Sequence, residues 1–191
     1  MNAFDKIPLK FSKLPDIDLS KGLSIAYSRS KTRQMMGVTD ANFLGNVHGG
    51  VIMRLVDESA AIVAMRHAHR NVVTARVERF DFIAPAYLGN VVTIDCEMSF
   101  VGRTSMEVAV EVTAEDLITD EIRKVASSQV IYVALDEQGR PTPVPPLVPA
   151  DEEEAAKIEI ARIRRERIKH LTEEMAKIRQ DLSMNDKSSA Q

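Results

Sequence analysis

Apolar residues occupy most positions of one long segment, from about Val47 to Ala68, and leave only a narrow polar seam. The apolar residues are Val51, Ile52, Leu55, Val56, Ala60, Ile62, Val63 and Met65. Their spacing of three and four residues predicts an α-helix, and a helix that is apolar on almost all sides has to be wrapped by other structure. The loop 37–46 ahead of it is rich in Gly, Asp and Asn, which favour turns.

Alternation of apolar and polar residues predicts β-strands on both sides of this helix. The predicted strands are Leu23 to about Met36, Val72–Phe82, Val91–Val101, Thr104–Thr113 and Lys124–Leu135. Each of the middle runs should have one buried face and one wet face, and Ser99 and Glu107 fall on the wet face. Short connections between the last four runs predict an antiparallel meander, and the chain as a whole has the pattern of an α+β fold.

Two segments of different composition follow the predicted sheet. Residues 141–149 contain five prolines, which exclude regular structure and predict a linker or a strap laid over the surface. A strongly charged helix follows from about Asp151, which can cap it, to about Leu182, and the residues after it are expected to fray. Its narrow apolar stripe consists of Ile168, Leu171, Met175, Ile178 and Leu182. The predicted divisions are an N-terminal extension (1–22), a sheet-and-helix domain (23–140), a Pro-rich strap (141–150) and a charged C-terminal helix with its tail (151–191).

Composition narrows the class of protein. A chain of 191 residues is long enough for one substantial domain and short for two, and its net charge of -3 argues against nucleic-acid binding. Cys96 is the only cysteine, which excludes an intrachain disulfide and agrees with a reducing compartment. No stretch is apolar and long enough to cross a membrane, and the N-terminal residues lack the apolar run of a signal peptide. We therefore expect a cytoplasmic protein without a membrane partner.

The most informative motif is a polar loop that runs into a Gly-Gly pair at the start of the apolar helix. Gly49 and Gly50 would offer unpaired N–H groups there, which can polarise a carbonyl as an oxyanion hole does. The alternative is that two glycines only permit close packing. Asp57 lies inside the same helix, where a carboxylate is costly unless something uses or pairs it. We interpret it as functional; the alternatives are a structural ion pair with Arg54 or a helix contact across a dimer.

Three further polar residues near the motif allow more than one interpretation. Asn42 can orient a water or a substrate oxygen with its amide, but its loop also favours an Asx turn. His48 stands next to the helix start, where it can cap the helix or donate to a substrate. Glu58 points about 100° away from Asp57 around the helix and is interpreted as structural.

These residues, together with several shorter segments, resemble the acyl-CoA hydrolases of the hotdog superfamily, and most closely their broad-specificity cytosolic type. The matching segments are Asp40-Ala-Asn42 through Gly45 to His48-Gly49-Gly50, Met53-Arg-Leu-Val-Asp57-Glu58, Arg66-His67, Asn71-Val-Val-Thr74-Ala, Ser105-Met106-Glu107-Val108, and Gly139-Arg140 with Pro143-Val144-Pro145. The resemblance covers about residues 23–150. It implies a hotdog fold, in which an antiparallel sheet wraps around one long central helix, and hydrolysis of acyl-CoA thioesters. It also implies that Asn42 and Asp57 occupy the catalytic positions.

Helix geometry separates the two chemical groups of the motif. At about 1.5 Å per residue, Asp57 lies about 10 Å along the axis from Gly50, and no Asp side chain spans that gap. We therefore predict that two subunits pair and form composite sites, each with glycines from one subunit and the acid from the other. The presence of a single hotdog unit also predicts pairing of subunits, since animal members of the family carry two units in one chain. The C-terminal helix is predicted to pack on another subunit and to support a tetramer or hexamer; the alternative is a helix that lies on its own domain.

CoA carries phosphates, so basic and polar residues near the mouth of the site are expected to bind it. The candidates are Arg66, His67, Arg70, Arg103 and Ser105. Beyond the CoA of the substrate we expect no metal or redox cofactor, since no His, Cys and Asp cluster has metal-ligand spacing. Two other functions stay open: a hotdog enoyl-CoA hydratase or dehydratase with His48 and Asp40 as acid and base, and a non-catalytic acyl-CoA-binding scaffold.

Overall fold

The computed structural model describes residues 14–188, with side chains described for residues 14–179. Residues 1–13, most of the predicted extension, and residues 189–191, the end of the predicted tail, lie outside the described residues. The elements in chain order are α1 (Ile25–Ser28), β1 (Ser30–Met35), α2 (Gly49–Ala68), β2 (Asn71–Phe82), β3 (Val91–Val101), β4 (Ser105–Glu115), β5 (Ile122–Leu135) and α3 (Glu152–Ser188). A short 3-10 helix, Val38–Asp40, lies between β1 and α2.

The first strand is shorter than predicted. It begins at Ser30 rather than Leu23, because the residues ahead of it form the single turn of α1. Ser24 caps this turn, and its side chain accepts a hydrogen bond from the Tyr27 N–H. A side-chain cap of this kind gives the backbone a local alternative to strand pairing, which the alternating pattern alone does not reveal.

The two long helices differ from their predicted limits by a few residues. α2 begins at Gly49 rather than Val47. α3 continues beyond Leu182 to Ser188, so the described part of the tail is helical where fraying is predicted. The carboxylate of Asp151 caps α3, as predicted.

The five strands form one antiparallel sheet in the order β1-β3-β4-β5-β2. β3, β4 and β5 form the predicted meander, with Met98 opposite Val108 and Val108 opposite Val130. The prediction is wrong for β2, which pairs with β5 rather than β3. The connection from β2 to β3 therefore crosses to the other side of the meander, and β1 and β2 form the two edges of the sheet.

α2 packs against one face of this sheet, as predicted. Val56, Ala60 and Val63 of the helix are fully buried, and they pack with the apolar face of the meander, which includes Met98 and Val108. One long helix held by an antiparallel sheet is the hotdog arrangement that the resemblance implies. The α+β class and the hotdog fold are therefore confirmed.

α3 covers part of the opposite face of the sheet, and this changes the environment of residues predicted to be wet. Ser99 and Glu107 point to that face, yet both are buried. Glu107 accepts hydrogen bonds from Arg164 and Arg165 of α3 and from the Ser99 hydroxyl. The predicted alternation is present, but the prediction of a wet face is wrong here, because a charged helix covers a carboxylate by pairing with it.

The Pro-rich segment 141–150 lies over its own domain. The Leu23 N–H donates to the Pro146 carbonyl, and the Val148 N–H donates to the Leu23 carbonyl. Val144 buries its side chain in the core. The segment is therefore held as a strap along the domain and does not lead the chain away from it.

The first part of α3 is also fixed to the domain. The carboxylate of Glu154 is buried and accepts hydrogen bonds from the N–H groups of Ile25 and Ala26 at 3.1 and 2.8 Å. Lys157 forms an ion pair with Glu97 of β3. The prediction that the C-terminal helix packs on another subunit is therefore wrong for this part, because its polar groups cap α1 and pair with the sheet of the same chain.

The distal part of α3 differs. Every described side chain from Lys169 to Arg179 is exposed. Leu171, Met175 and Ile178 are 48–58% exposed. These three members of the predicted apolar stripe are uncovered within the described residues, whereas Ile168 is half-buried and the side chain of Leu182 lies outside the described ones.

Candidate active site

The N-terminus of α2 is capped by the side chain of His48. Its Nδ1 accepts a hydrogen bond from the Gly50 N–H at 2.9 Å, so the neutral ring carries its proton on Nε2. The Gly49 N–H has no acceptor among residues 14–188. The prediction that both glycines offer free donors is corrected, because the cap uses the Gly50 N–H and leaves Gly49 as the open one.

Asn42 forms the Asx turn that its loop favours. Its Oδ1 accepts hydrogen bonds from the N–H groups of Leu44 and Asn46 at 2.8 and 3.2 Å. Both bonds use the oxygen, so the Nδ2 group keeps two hydrogens for another acceptor. The turn therefore fixes the direction of the amide and leaves its donor end available.

A cleft of about 320 Å³ joins Asn42 to Gly49. Most of its remaining wall is apolar and includes Val47, Ile52 and Phe82. Amide donors at one side and apolar walls elsewhere suit a carbonyl compound with an apolar chain. The helix N-terminus adds a partial positive charge where a carbonyl oxygen would gain negative charge.

Asp57 is held by two hydroxyl groups from the sheet. The Thr74 hydroxyl of β2 donates to Oδ1 at 2.7 Å. The Tyr132 hydroxyl of β5 lies 3.0 Å from the same Oδ1 and 2.8 Å from the Asp57 carbonyl oxygen. The alternative pair with Arg54 is not formed, since Arg54 instead pairs with Glu58 at 3.1 Å. The interpretation of Glu58 as a structural residue agrees with this contact.

Asp57 and the cleft lie apart on one chain. Asp57 is not among the described residues that line the cleft with Asn42 and Gly49. It lies instead on the side of α2 that the sheet leaves uncovered, where Met53 and Met65 are 44% and 42% exposed. This face also carries the exposed Arg54–Glu58 pair, and a half-buried carboxylate beside exposed apolar side chains suits a site that is closed by another surface.

The structure contradicts one of the predicted CoA-binding residues. His67 is fully buried, and its Nε2 lies 3.0 Å from the carbonyl oxygen of Pro145 in the strap. A carbonyl only accepts, so Nε2 carries the proton and Nδ1 is bare. Burial lowers the pKa of His67 and keeps the ring neutral. His67 binds the strap from within the core and does not reach a ligand at the surface.

The other predicted CoA-binding residues lie at the surface, at one end of the domain. Arg66 donates to backbone carbonyls at the end of α1, and Arg70 donates to the carbonyl of Pro15. Arg103 is exposed in the turn between β3 and β4. Ser105 lines a groove of about 810 Å³ between this turn and α3. Their role in CoA binding stays a prediction.

The acid–base pair required by the hydratase alternative is not formed. The ring of His48 is used in the helix cap, and the Asp40 carboxylate accepts from the Gly37 N–H. Within residues 14–188 no hydrogen bond joins the two side chains. The structure thus offers no support for proton transfer between them.

Cys96 is a core residue, as predicted. It is fully buried, and burial raises the pKa of its thiol to about 12, so it does not act as a nucleophile near neutral pH. In the described part of the chain, no three His, Cys, Asp or Glu side chains are grouped so that they could hold a metal ion. None of the helices described is both long and apolar enough to span a membrane.

Sequence reasoning assigned no role to Thr74 or Tyr132. Thr74 lies in one of the segments that match the hydrolases, but an exposed threonine in a strand carries no signal of its own. Tyr132 offers a weak sequence signal, because it falls on the apolar face of β5, where a buried tyrosine hydroxyl requires a hydrogen-bond partner. The identity of that partner depends on the packing of α2 across the sheet.

Comparison with known proteins agrees with this geometry. A family model described as the thioesterase superfamily matches residues 44–120. The chain is 40% identical over 138 residues to the cytosolic acyl coenzyme A thioester hydrolase of Rattus norvegicus. The matched region covers 71% of this chain and 36% of that protein. The chain therefore spans about a third of the length of that relative. A crystal structure of an apo-hexameric acyl-CoA thioesterase is 36% identical, with a TM-score of 0.75, and the match covers 80% of this chain and 97% of that one.

A second solved structure bears on the site residues. The acyl-CoA hydrolase of Staphylococcus aureus, in complex with butyryl coenzyme A, coenzyme A and coenzyme A disulfide, is 32% identical with a TM-score of 0.74, over 85% of this chain and 99% of that one. Its alanine variants at one asparagine, one aspartate and one threonine have also been solved. The sequence intervals between those three positions are the same as those between Asn42, Asp57 and Thr74.

Proposed function

The chain belongs to the acyl-CoA thioester hydrolases of the thioesterase superfamily, and we propose that it hydrolyses the thioester of acyl-CoA to a free fatty acid and CoA. The Gly49 N–H donates to the carbonyl oxygen of the thioester, and the Asn42 amide donates to that oxygen or to the attacking water. Asp57 either removes a proton from the water or attacks the carbonyl carbon itself. In both routes the C–S bond breaks, and the sulfur leaves as the CoA thiolate, which takes up a proton.

The observation that carries this proposal is the division of the candidate groups between two places. Asn42 and Gly49 share a cleft that Asp57 does not line, and Asp57 is half-buried on the face of α2 where Met53 and Met65 are exposed. A second copy placed against that face would bring its cleft to this Asp57 and would remove apolar surface from water. We propose two such composite sites in each dimer.

A CoA-release assay across acyl chain lengths tests the activity. We expect turnover by the parent protein, and Asp57→Asn should lower kcat by about 10²–10⁴-fold with a smaller effect on KM, because the lost interaction belongs to the transition state. Glu58→Gln, next to it on the helix, is the matched control and should retain parental kcat. Hydration of enoyl-CoA without CoA release would favour the hydratase, and acyl-CoA binding without any turnover would favour the scaffold.

Complementation tests the sharing of the site. Asn42→Ala and Asp57→Ala subunits are each expected to be inactive, while a mixed dimer holds one site with both residues intact. Random exchange of equal amounts should restore about a quarter of parental activity, since half of the dimers are mixed and half of their sites are complete. If subunit exchange is confirmed and activity does not return, both residues act within one chain.

We further propose that the distal part of α3 packs on another copy of the chain and supports an assembly larger than a dimer. Its uncovered stripe of Leu171, Met175 and Ile178 suits a narrow helix contact. The solved relative described as hexameric supports an assembly of that size.

Substitution tests this role better than removal of the whole helix, because removal would also take away Glu154, which caps α1, and would uncover the face of the sheet that carries Glu107. Leu171→Glu with Ile178→Glu should yield a smaller species by light scattering, with the fold retained. His170→Glu with Lys177→Glu, at exposed positions outside the stripe, is the control and should leave the size unchanged. An unchanged assembly in the first variant would exclude the stripe as the contact.

We also propose that the protein acts in the cytoplasm and that it needs no cofactor beyond the CoA of its substrate. The first point is supported by the cytosolic relative from rat. The second rests on the reaction, since water, backbone donors and a carboxylate suffice for thioester hydrolysis. Treatment with EDTA should leave CoA release unchanged, whereas a loss that added Mg²⁺ or Zn²⁺ reverses would contradict it.

A further inference from the structure

Two hydroxyl groups from different strands converge on a single oxygen of Asp57. The Thr74 hydroxyl donates to Oδ1 at 2.7 Å, and the Tyr132 hydroxyl lies 3.0 Å from the same atom. Oδ2 accepts no hydrogen bond and forms no ion pair with the side chains described. The two oxygens of one carboxylate therefore have different environments.

Tyr132 is suited to act as a permanent donor. It is fully buried, and its hydroxyl lies 2.8 Å from the Asp57 carbonyl oxygen and 3.0 Å from Oδ1. Burial, followed by the charge of Asp57, raises the pKa of Tyr132 above its usual range, so the hydroxyl keeps its proton. Phenylalanine would fill almost the same space, so packing alone does not require the hydroxyl.

We propose that Tyr132 is a positioning residue: together with Thr74 it binds Oδ1 of Asp57 and leaves Oδ2 as the oxygen that reacts. The inference rests on the proposed thioesterase function and deepens it. Two donors on one oxygen fix the plane of the carboxylate, which a single donor leaves free to rotate. Donors to a carboxylate also stabilise its charged form.

The chemistry then runs through one atom. If Asp57 acts as a base, Oδ2 takes a proton from water while the water oxygen bonds to the thioester carbon; the adduct then expels the CoA thiolate, which recovers the proton from Oδ2. If Asp57 attacks directly, Oδ2 bonds to the carbon and the thiolate leaves, and water later cleaves the mixed anhydride. Oδ1 stays bound to both hydroxyls in either route.

The charged groups near Asp57 pair with one another and not with its carboxylate. On the same helix Arg54 and Glu58 pair with each other. On β2 Arg76 pairs with Glu78. Cys96 on β3, which belongs to the same buried core as Tyr132, stays neutral because burial raises its pKa to about 12.

The test is the dependence of kcat/KM on pH, measured by CoA release, for Tyr132→Phe, Thr74→Val and the double variant. We expect each single variant to lose about tenfold in kcat/KM and to shift the acidic limb of the profile upward by about one pH unit, which corresponds to the loss of one hydrogen bond to a charged group. The double variant should shift further than either. Tyr27→Phe removes a tyrosine hydroxyl that bonds His69 instead and should leave the profile unchanged.

Thr74→Val keeps the test decisive if Tyr132→Phe folds poorly, because Thr74 lies on an exposed edge strand. Thr74→Ser, which retains the hydroxyl, should restore the parental profile. An acidic limb that stays in place in folded Tyr132→Phe would show that the hydroxyl serves only the Asp57 carbonyl, and would overturn the inference. A parent protein that releases no CoA would instead overturn the proposed function, and the role of Tyr132 with it.

Discussion

The two long helices lie on opposite faces of one sheet and are held there by different forces. α2 buries apolar side chains such as Val56 and Val63 against the meander. α3 places Arg164 and Arg165 on a single carboxylate, Glu107, that has no exposed surface. The first contact is an apolar core that tolerates small changes of shape, whereas the second depends on a few charges that have to be present together.

The two helices also differ in what their uncovered sides carry. The uncovered side of α2 combines exposed apolar side chains with the Arg54–Glu58 pair and carries Asp57, held at one oxygen by the sheet. The uncovered side of α3 is the stripe beyond Lys169, which carries no group with evident chemistry. We expect the first surface to serve catalysis and the second to serve assembly.

The largest effect on stability should come from removing the arginines of α3 while Glu107 stays. Arg164→Met with Arg165→Met leaves a buried carboxylate without a partner and should lower the free energy of unfolding by about 3–5 kcal/mol. Adding Glu107→Leu to this variant should recover most of the loss, because no charge is then buried. Urea unfolding measures both, and a triple variant as unstable as the double one would show that α3 is held by other contacts.

A truncation in the core of α2 should cost somewhat less. Leu55→Ala removes buried apolar surface and leaves a cavity, for an expected loss of about 3 kcal/mol in the free energy of unfolding. The same substitution at Leu19, which is exposed, is the control and should change little. Equal losses at the two positions would contradict the view that burial against the sheet holds α2.

His67, in the last turn of α2, should make stability depend on pH. Burial lowers its pKa, so below about pH 6.5 the unfolded chain binds a proton that the folded chain does not, and stability is lost as the pH falls through that value. His67→Gln can still donate to the Pro145 carbonyl and lacks the proton site. The melting temperature of the parent should therefore fall more steeply between pH 7.5 and 5.5 than that of the variant. Parallel curves for the parent and the variant would mean that His67 binds its proton equally well in the folded and the unfolded chain.

The smallest effect should come from an exposed charge on α3. Arg162 pairs with Glu159 and Glu166 on the same helix, but all three are about half exposed or more. Pairs in water contribute little because solvent screens them. Arg162→Met should leave the melting temperature within error of the parent. A clear decrease would show that exposed ion pairs on this helix stabilise the fold.

Much of this protein is determined by local sequence. The spacing of apolar residues in α2 and the alternation in β3 predict those elements, because each pattern matches the period of one structure. The loop and the Gly-Gly pair indicate the site, since Asn42, Gly49 and Asp57 are residue types with distinct chemistry at helix ends and in apolar surroundings. Helix geometry alone already separates Asp57 from the cleft.

Tertiary structure decided what depends on contacts between distant residues. Thr74 and Tyr132 meet Asp57 only because β2 and β5 become neighbours under α2, and neither strand pattern records that pairing. Glu107 has the pattern of a wet position, and it is buried only because two arginines more than fifty residues later in the chain reach it. Periodicity reports which face of an element a residue occupies; whether that face meets water, a helix or a second copy is set by packing across the whole chain.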